Sequence, residues 1–165
     1  MKKQSSLLWL VAALLLAAFS AVAVYKVWPL LHPEVLVSAP LDSDCDLRAG
    51  PCRSVLPDGS SISFSIEPRS LPLVRPIQLQ VEIEGLEAER IEVDFSGVDM
   101  NMGFNRPALA NQGEGRFAGK GMLPVCVRDA MEWEAKVLVK TQDGLVAAPY
   151  RFITVKPGMT LPGTP

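Results

Sequence analysis

The order of hydrophobic and polar residues divides the chain into an apolar beginning and a long alternating region. Residues 4–25 are 22 positions without a charge, and their centre is rich in Leu, Ala and Val. A helix of this length spans about 33 Å, enough to cross the roughly 30 Å hydrocarbon layer of a membrane. The pattern therefore predicts an N-terminal transmembrane helix over residues 1–25.

Beyond the apolar beginning, apolar and polar residues alternate with a period of two in several runs, of which residues 77–84 are one. This period, with one polar face, is typical of antiparallel strands that cover one core. Asp58-Gly59 and Asp143-Gly144 stand between such runs and predict hairpin turns. We predict seven strands, at residues 53–56, 60–66, 76–84, 90–96, 115–123, 132–141 and 145–154.

Seven short strands predict a mainly β fold, an immunoglobulin-like antiparallel β-sandwich behind one N-terminal transmembrane helix. The expected organisation has four parts. An anchor covers residues 1–25, and a linker with three prolines covers residues 26–44. The β-sandwich covers residues 45–155, and a disordered tail covers residues 156–165.

The orientation in the membrane follows from the charges that flank the apolar segment. Lys2 and Lys3 precede it, which predicts a cytoplasmic N-terminus and an exported remainder. The alternative is a cleaved signal peptide, because Ala21-Val22-Ala23 fits a cleavage site. The long apolar run, with Lys26 and Trp28 as interfacial residues, favours a retained anchor. Both interpretations place the rest of the chain beyond the inner membrane.

Charge and histidine content exclude several classes of function. The chain has 16 basic and 18 acidic residues, and the part after residue 26 has 13 and 18, a net charge of -5. This part has no strongly basic field, so we expect no nucleic acid as a partner. The one histidine, His32, falls in the expected linker, so a serine nucleophile in the domain would have no imidazole base. We therefore predict that the protein is not an enzyme.

Two of the three cysteines lie close together in the sequence. Cys45 and Cys52 enclose six residues that end in Gly50-Pro51, a turn signal, and the expected compartment is oxidising. This arrangement predicts a structural disulfide, worth about 2–3 kcal/mol in the entropy model. A redox-active or metal-binding dithiol is one alternative, although the spacing is longer than Cys-x-x-Cys. Pairing of either residue with Cys126 is another.

Sulfur side chains form the candidate site. Met100 and Met102 are two residues apart, so on an extended loop their thioethers face the same side. Cys126 lies between two valines as a third sulfur, and Met122 and Met131, which bracket it, are expected to approach the same end of the sheet. Thioethers and thiolates are soft ligands that select Cu(I), so Met100, Met102 and Cys126 are the predicted metal ligands. The alternative is that these residues fill gaps in the core and bind no metal.

Three short motifs lie between residues 75 and 155: Val93-Asp-Phe-Ser-Gly-Val-Asp-Met100-Asn-Met102-Gly103, Gly113-x-Gly115-x-Phe117-x-Gly119 and Met131-Glu-Trp133-x-Ala135-x-Val137-x-Val139. Together they resemble the YtkA-like and FixH-like exported domains. Those domains are sandwiches of this size, often behind one N-terminal membrane helix, with a Met-rich turn after a central strand. The resemblance places Met100 and Met102 at the methionines of the ligand-bearing loop.

The resemblance implies a bacterial inner-membrane protein with a single pass and a periplasmic C-terminal domain. Its expected role is that of an accessory protein in Cu(I) handling or in assembly of a respiratory haem-copper oxidase. We expect its partner to be another membrane or periplasmic protein. Relatives commonly carry histidine beside the methionines, whereas this chain has Asn101, which leaves Cu(I) or no metal. The alternatives are a metal-free protein-interaction or scaffold module and a thiol–disulfide carrier that uses Cys45 and Cys52.

Overall fold

The computed structural model describes residues 2–31, 35–125, 128–156 and 158–159, with side chains from residue 9 onward except at 29–31. Within these ranges the chain forms one helix and nine strands. The bounds are α1 (Lys2–Leu31), β1 (Val35–Ser38), β2 (Cys52–Val55), β3 (Ser61–Glu67), β4 (Pro76–Glu84), β5 (Arg90–Gly97), β6 (Ala108–Gly113), β7 (Arg116–Met122), β8 (Ala130–Lys140) and β9 (Leu145–Val155). The chain divides into two compact units, Met1–Glu34 and Val35–Pro165.

The first unit is the helix α1. Its segment Trp9–Trp28 has a mean hydropathy of 2.2, and none of that segment is buried inside the protein. Twenty residues span about 30 Å as a helix, so α1 is long and apolar enough to cross a membrane. An apolar surface with no protein cover is expected where lipid is the solvent.

The second unit is one curled sheet with the strand order β1-β9-β8-β5-β6-β7-β4-β3-β2. β1 runs parallel to β9, and the other neighbouring strands are antiparallel. The sheet is continuous through β6, which pairs with β5 at Leu109 and with β7 at Asn111. The mainly β fold behind one apolar helix is as predicted.

The strand count is larger than the predicted seven. The seven predicted strands correspond to β2, β3, β4, β5, β7, β8 and β9, with ends that differ by at most two residues. β1 lies inside residues 26–44, which were expected to be linker. β6 was not predicted because only Leu109 of its residues is buried, so it shows no alternation. The sequence did not predict β1 because its four residues pair with β9, about 110 positions later in the chain.

Alternation of buried and exposed residues explains the predicted strands. Along β4, Ile77, Leu79 and Val81 are buried, while the polar residues between them are exposed. Each such apolar side chain contributes about 1.5–3 kcal/mol when it leaves water. Because these residues share one face, the strand must turn that face to the core.

Both predicted hairpins are confirmed. In the β2–β3 turn, the Leu56 amide donates to the Ser60 carbonyl at 2.9 Å, and Gly59 has a φ of 86°. The Ser60 hydroxyl and amide both donate to the Asp58 carboxylate, which lowers the pKa of that carboxyl. Asp143-Gly144 makes the β8–β9 turn, where the Thr141 amide donates to the Gly144 carbonyl at 2.9 Å.

The two halves of the curled sheet face each other across one core. The Tyr150 hydroxyl on β9 donates to the Ile62 carbonyl on β3 at 2.8 Å. The Tyr150 and Phe64 rings lie 5.3 Å apart between centroids. Trp133, fully buried on β8, donates from Nε1 to Thr154 Oγ1 at 2.9 Å. The buried polar atoms of these aromatic residues are thus hydrogen-bonded, as low-polarity surroundings require.

We expect the domain to lose stability at alkaline pH because of Tyr150. Burial raises the pKa of its phenol to about 12, although Ser54 acts in the opposite direction. The pKa of tyrosine in the unfolded chain is about 10. The contribution of the protonated phenol to the free energy of unfolding is therefore complete below pH 10 and is lost as the pH rises through 12. The loss amounts to about 2–3 kcal/mol. Urea unfolding of wild type and Tyr150→Phe at pH 7 and between pH 9.5 and 11.5 measures it.

Tyr150→Phe should be less stable at pH 7 by about 1 kcal/mol, because the hydrogen bond to Ile62 is gone. Its alkaline slope should be shallower than that of wild type. Tyr25→Phe, which changes the exposed tyrosine of α1, is the matched control and should keep the wild-type slope. Equal slopes for wild type and Tyr150→Phe would contradict the assignment.

Candidate functional site

The predicted methionine ligands lie at one end of the curled sheet. We call this end the methionine rim: it consists of loop 98–107, the ends of β5 and β7, and the start of β8. β5 and β7 both point to this end, and the Asn105 side chain links them by donating from Nδ2 to the Met122 carbonyl at 3.0 Å. The two hairpins and the start of β1 lie at the opposite end.

Loop 98–107 leaves β5, turns sharply and returns along the same strand. The Asn101 side-chain oxygen accepts the Gly103 amide at 2.8 Å, which turns the chain around Met102. Gly103 has a φ of 80°. Glycine adopts this conformation at little cost in free energy because it has no side chain. The Phe95 amide then donates to the Asn105 carbonyl at 2.9 Å, so the returning limb is fixed to β5.

Gly97, the last residue of β5, is surrounded by the side chains of Met102 and Met131 and by the backbone carbonyl of Met100. Met100 and Met102 are half-buried and pack against the core. Met131 is the inward-facing residue nearest this end of β8 and is 6% exposed. A Cβ placed on Gly97 would overlap Met131 Cε, would lie 2.5 Å from the Met100 carbonyl oxygen and would lie 3.3 Å from Met102 Cγ. The space that a side chain at position 97 would fill is therefore occupied by the methionines.

The donor set of this cluster fits a soft monovalent cation. Thioethers are uncharged and polarisable, and they favour Cu(I) over hard ions such as Mg²⁺ or Ca²⁺. Among the residues that the structure describes, no group of three or more His, Cys, Asp or Glu side chains is arranged to hold a metal ion. At the methionine rim, the side chains that pack around Gly97 are those of Met102 and Met131.

Charged groups near the rim pair with one another. Arg106, with its side chain 9% exposed, binds Asp94 at 2.9 Å, and its guanidinium carbon lies 5.1 Å from the centre of the Phe104 ring. At the surface, Arg128 lies 3.4 Å from Asp99. These two carboxylates therefore have cationic partners.

Two of the three predicted ligands, Met100 and Met102, lie at the methionine rim, where both pack against the core. This packing fits a metal site and a gap-filling role equally. The third predicted ligand, Cys126, lies outside the described residues. Sequence reasoning assigned no role to Gly97. It expected Met131 at the same end of the sheet as the predicted ligands and did not name it as one of them. Two features of the sequence pointed to these residues. The alternation of β5 ends at Gly97, and Met131 lies two residues before Trp133, so both side chains face the same side of β8.

The cysteine pair lies in the loop before β2. Cys45 and Cys52 stand at disulfide distance, with Cα atoms 5.7 Å apart. Cys52 is 2% exposed, and Leu47 between them is buried in the core. Arg48 donates to the Ile153 carbonyl on β9, and Arg69 donates to the Ala49 carbonyl at 2.9 Å.

This arrangement favours a structural role for the pair. The closed loop inserts Leu47 into the core and is bound both to β9 and to the turn after β3. A thiol carrier needs an accessible sulfur for attack by a partner thiolate. Burial of Cys52 makes such attack difficult on its side of the pair.

Removal of the pair in Cys45→Ala/Cys52→Ala should lower the free energy of unfolding by about 2–3 kcal/mol, because the unfolded chain loses a constraint. Urea unfolding with and without dithiothreitol measures this. The reductant should destabilise wild type by a similar amount and should not affect the double variant. A reductant effect of equal size in both proteins would show that the pair is not responsible.

Gly97→Ala should destabilise the domain by about 1–3 kcal/mol, because the new methyl group would overlap the Met131 methyl and the Met100 carbonyl oxygen. The matched control is Gly50→Ala, where nothing lies within 4 Å of the added carbon. The control should change stability by no more than about 0.5 kcal/mol. Chemical unfolding followed by tryptophan fluorescence compares the two, and equal stabilities would refute the crowding at Gly97.

Comparison of the chain with protein-family models finds no match. Comparison with curated proteins finds none either. The resemblance to YtkA-like and FixH-like domains therefore stays a prediction from the three motifs.

Proposed function

We propose that the protein is a membrane-tethered accessory protein whose periplasmic domain holds Cu(I), for use in the assembly of a respiratory haem-copper oxidase. The observation that carries the proposal is the convergence of methionines on Gly97. It adds a spatial cluster to the Met100-Asn-Met102 motif, which by itself placed only two thioethers on one loop.

The position of the cluster suits the delivery of an ion. Met100 and Met102 are half-buried on a loop between strands, where a partner can approach them. A partner ligand can replace one thioether at a time, so the ion passes by exchange and is never free in water. Neutral thioethers also bind the cation without the cost of burying a carboxylate.

The orientation and the finer fold are parts of this proposal. The helix α1 supports a single-pass anchor, and Lys2 and Lys3 support a cytoplasmic N-terminus with a periplasmic domain. The contacts of β9 with β3 across the core support an immunoglobulin-like sandwich as the description of the curled sheet.

A second candidate is a metal-free interaction module. Its support is the exposed apolar surface of the methionine rim, where Phe104 is 68% exposed and Met122 is 51% exposed. Large exposed apolar side chains next to each other favour contact with another protein. The loop that carries Phe104 would then dock a membrane or periplasmic partner without any ion.

Cu(I) titration of the full-length protein in detergent, against a chromogenic Cu(I) chelator, tests the proposal. We expect one high-affinity equivalent in wild type and at least tenfold weaker binding in Met100→Leu/Met102→Leu, which keeps the apolar volume and removes two sulfur atoms. The control, Phe104→Ala, should keep the wild-type affinity. An absence of binding in wild type, or the same affinity in the double variant, would refute the Cu(I) function and leave the interaction module.

A further inference from the structure

Met131 is placed differently from the other inward-facing residues of β8. It lies two residues before Trp133, and Trp133 is paired with Gly97 at the end of β5. β8 therefore continues past the point where β5 stops. The Met131 methyl lies against Gly97, at the same point as Met102 Cγ and the Met100 carbonyl oxygen of the loop.

We infer that Met131 is a third thioether ligand of the site, and that Gly97 is the residue that makes room for it. The inference rests on the proposed Cu(I) function. The atoms at the Gly97 position carry it: Met131 Cε and Met102 Cγ are each bonded directly to a thioether sulfur, and both lie against the same point. Met100 contributes its carbonyl oxygen to the same contact and carries its own sulfur on the same loop.

Three thioethers form a more complete site than two. Each neutral sulfur donates only weakly, so two thioethers leave a monovalent d¹⁰ cation poorly satisfied, whereas three can surround it in a plane. The third donor is the one on regular structure: Met131 is on an eleven-residue strand, paired on one side with β9. A ligand on a rigid strand fixes the position of the ion, while the two on the loop can move away for its release.

Packing alone does not require sulfur at position 131. Leucine has a similar volume and could fill the same inward-facing position on β8. Gly97 also bears on the site, because the side chain of an alanine at this position would push Met131 and Met102 apart. With sulfur at position 131 and no side chain at position 97, a thioether on β8 can lie beside the loop that carries Met102.

The experiment uses the full-length protein in detergent micelles, with ¹³C-methyl methionine and Ag(I) as a redox-stable probe for a soft monovalent cation. The chain has six methionines, and Met→Leu variants assign their methyl resonances. We expect the methyl signals of Met100, Met102 and Met131 to shift together at one equivalent of Ag(I). The signal of Met122, which is exposed at the end of β7, should stay in place.

Affinity measurements complete the test. Met131→Leu should weaken Ag(I) and Cu(I) binding at least tenfold, while the matched control Met122→Leu should bind as wild type does. Gly97→Ala should also weaken binding, and Gly50→Ala should not. Tryptophan fluorescence from the buried Trp133 reports whether each variant is folded. If Met131→Leu does not fold, the methyl shift in wild type still decides the question.

The two proposals fail in different ways. If wild type binds neither ion, the Cu(I) function is wrong, and the third ligand is wrong with it. If wild type binds, while the Met131 methyl signal stays in place and Met131→Leu keeps full affinity, the third ligand is wrong and the Cu(I) function stands.

Discussion

The curled sheet depends on the contact between β9 and β3, which are distant in the chain and face each other across the core. Tyr150 and Phe64 pack there, and the Tyr150 hydroxyl satisfies the Ile62 carbonyl. A flat sheet of nine strands would leave one apolar face in water. By curling, the sheet buries the apolar faces of its two halves against each other, and the loops are left at the two ends. The methionine rim is a consequence of this closure.

At the rim, the shape of the site is set by strands of unequal length. β5 stops at Gly97, while its neighbour β8 begins beyond that level, at Ala130. Loop 98–107 folds over the gap, and the Asn101 turn brings Met102 back toward the core. The missing side chain at Gly97 lets the loop and Met131 approach each other.

The two kinds of sulfur in the domain have different physical roles. In an oxidising compartment, two nearby thiols form a disulfide, as the Cys45 and Cys52 positions allow. Thioethers cannot pair in this way, so the oxidation that converts two thiolates into a disulfide leaves methionine sulfur unchanged. A site built from Met100, Met102 and Met131 would therefore not lose its donors to disulfide formation.

Sequence alone determined the elements with strong local signals. The uncharged run determined the helix, the period-two alternation determined seven strands, and Asp58-Gly59 and Asp143-Gly144 determined two hairpins, because each signal arises within a few neighbouring residues. The pairing of Cys45 with Cys52 was also predictable, since only six residues separate them.

Tertiary structure decided what depends on partners far away in the chain. β1 became a strand only through β9, and β6 only through β5 and β7. Likewise, Met131 reaches the Met100 and Met102 loop because β5 and β8 pair in a register that ends at Gly97. Local hydrophobicity determines which face of a strand is buried, but not the residue at which the pairing of two distant strands ends. The register is set by the packing of the whole core, which is why the sequence placed Met131 only at the same end of the sheet and the fold alone put its side chain against Gly97.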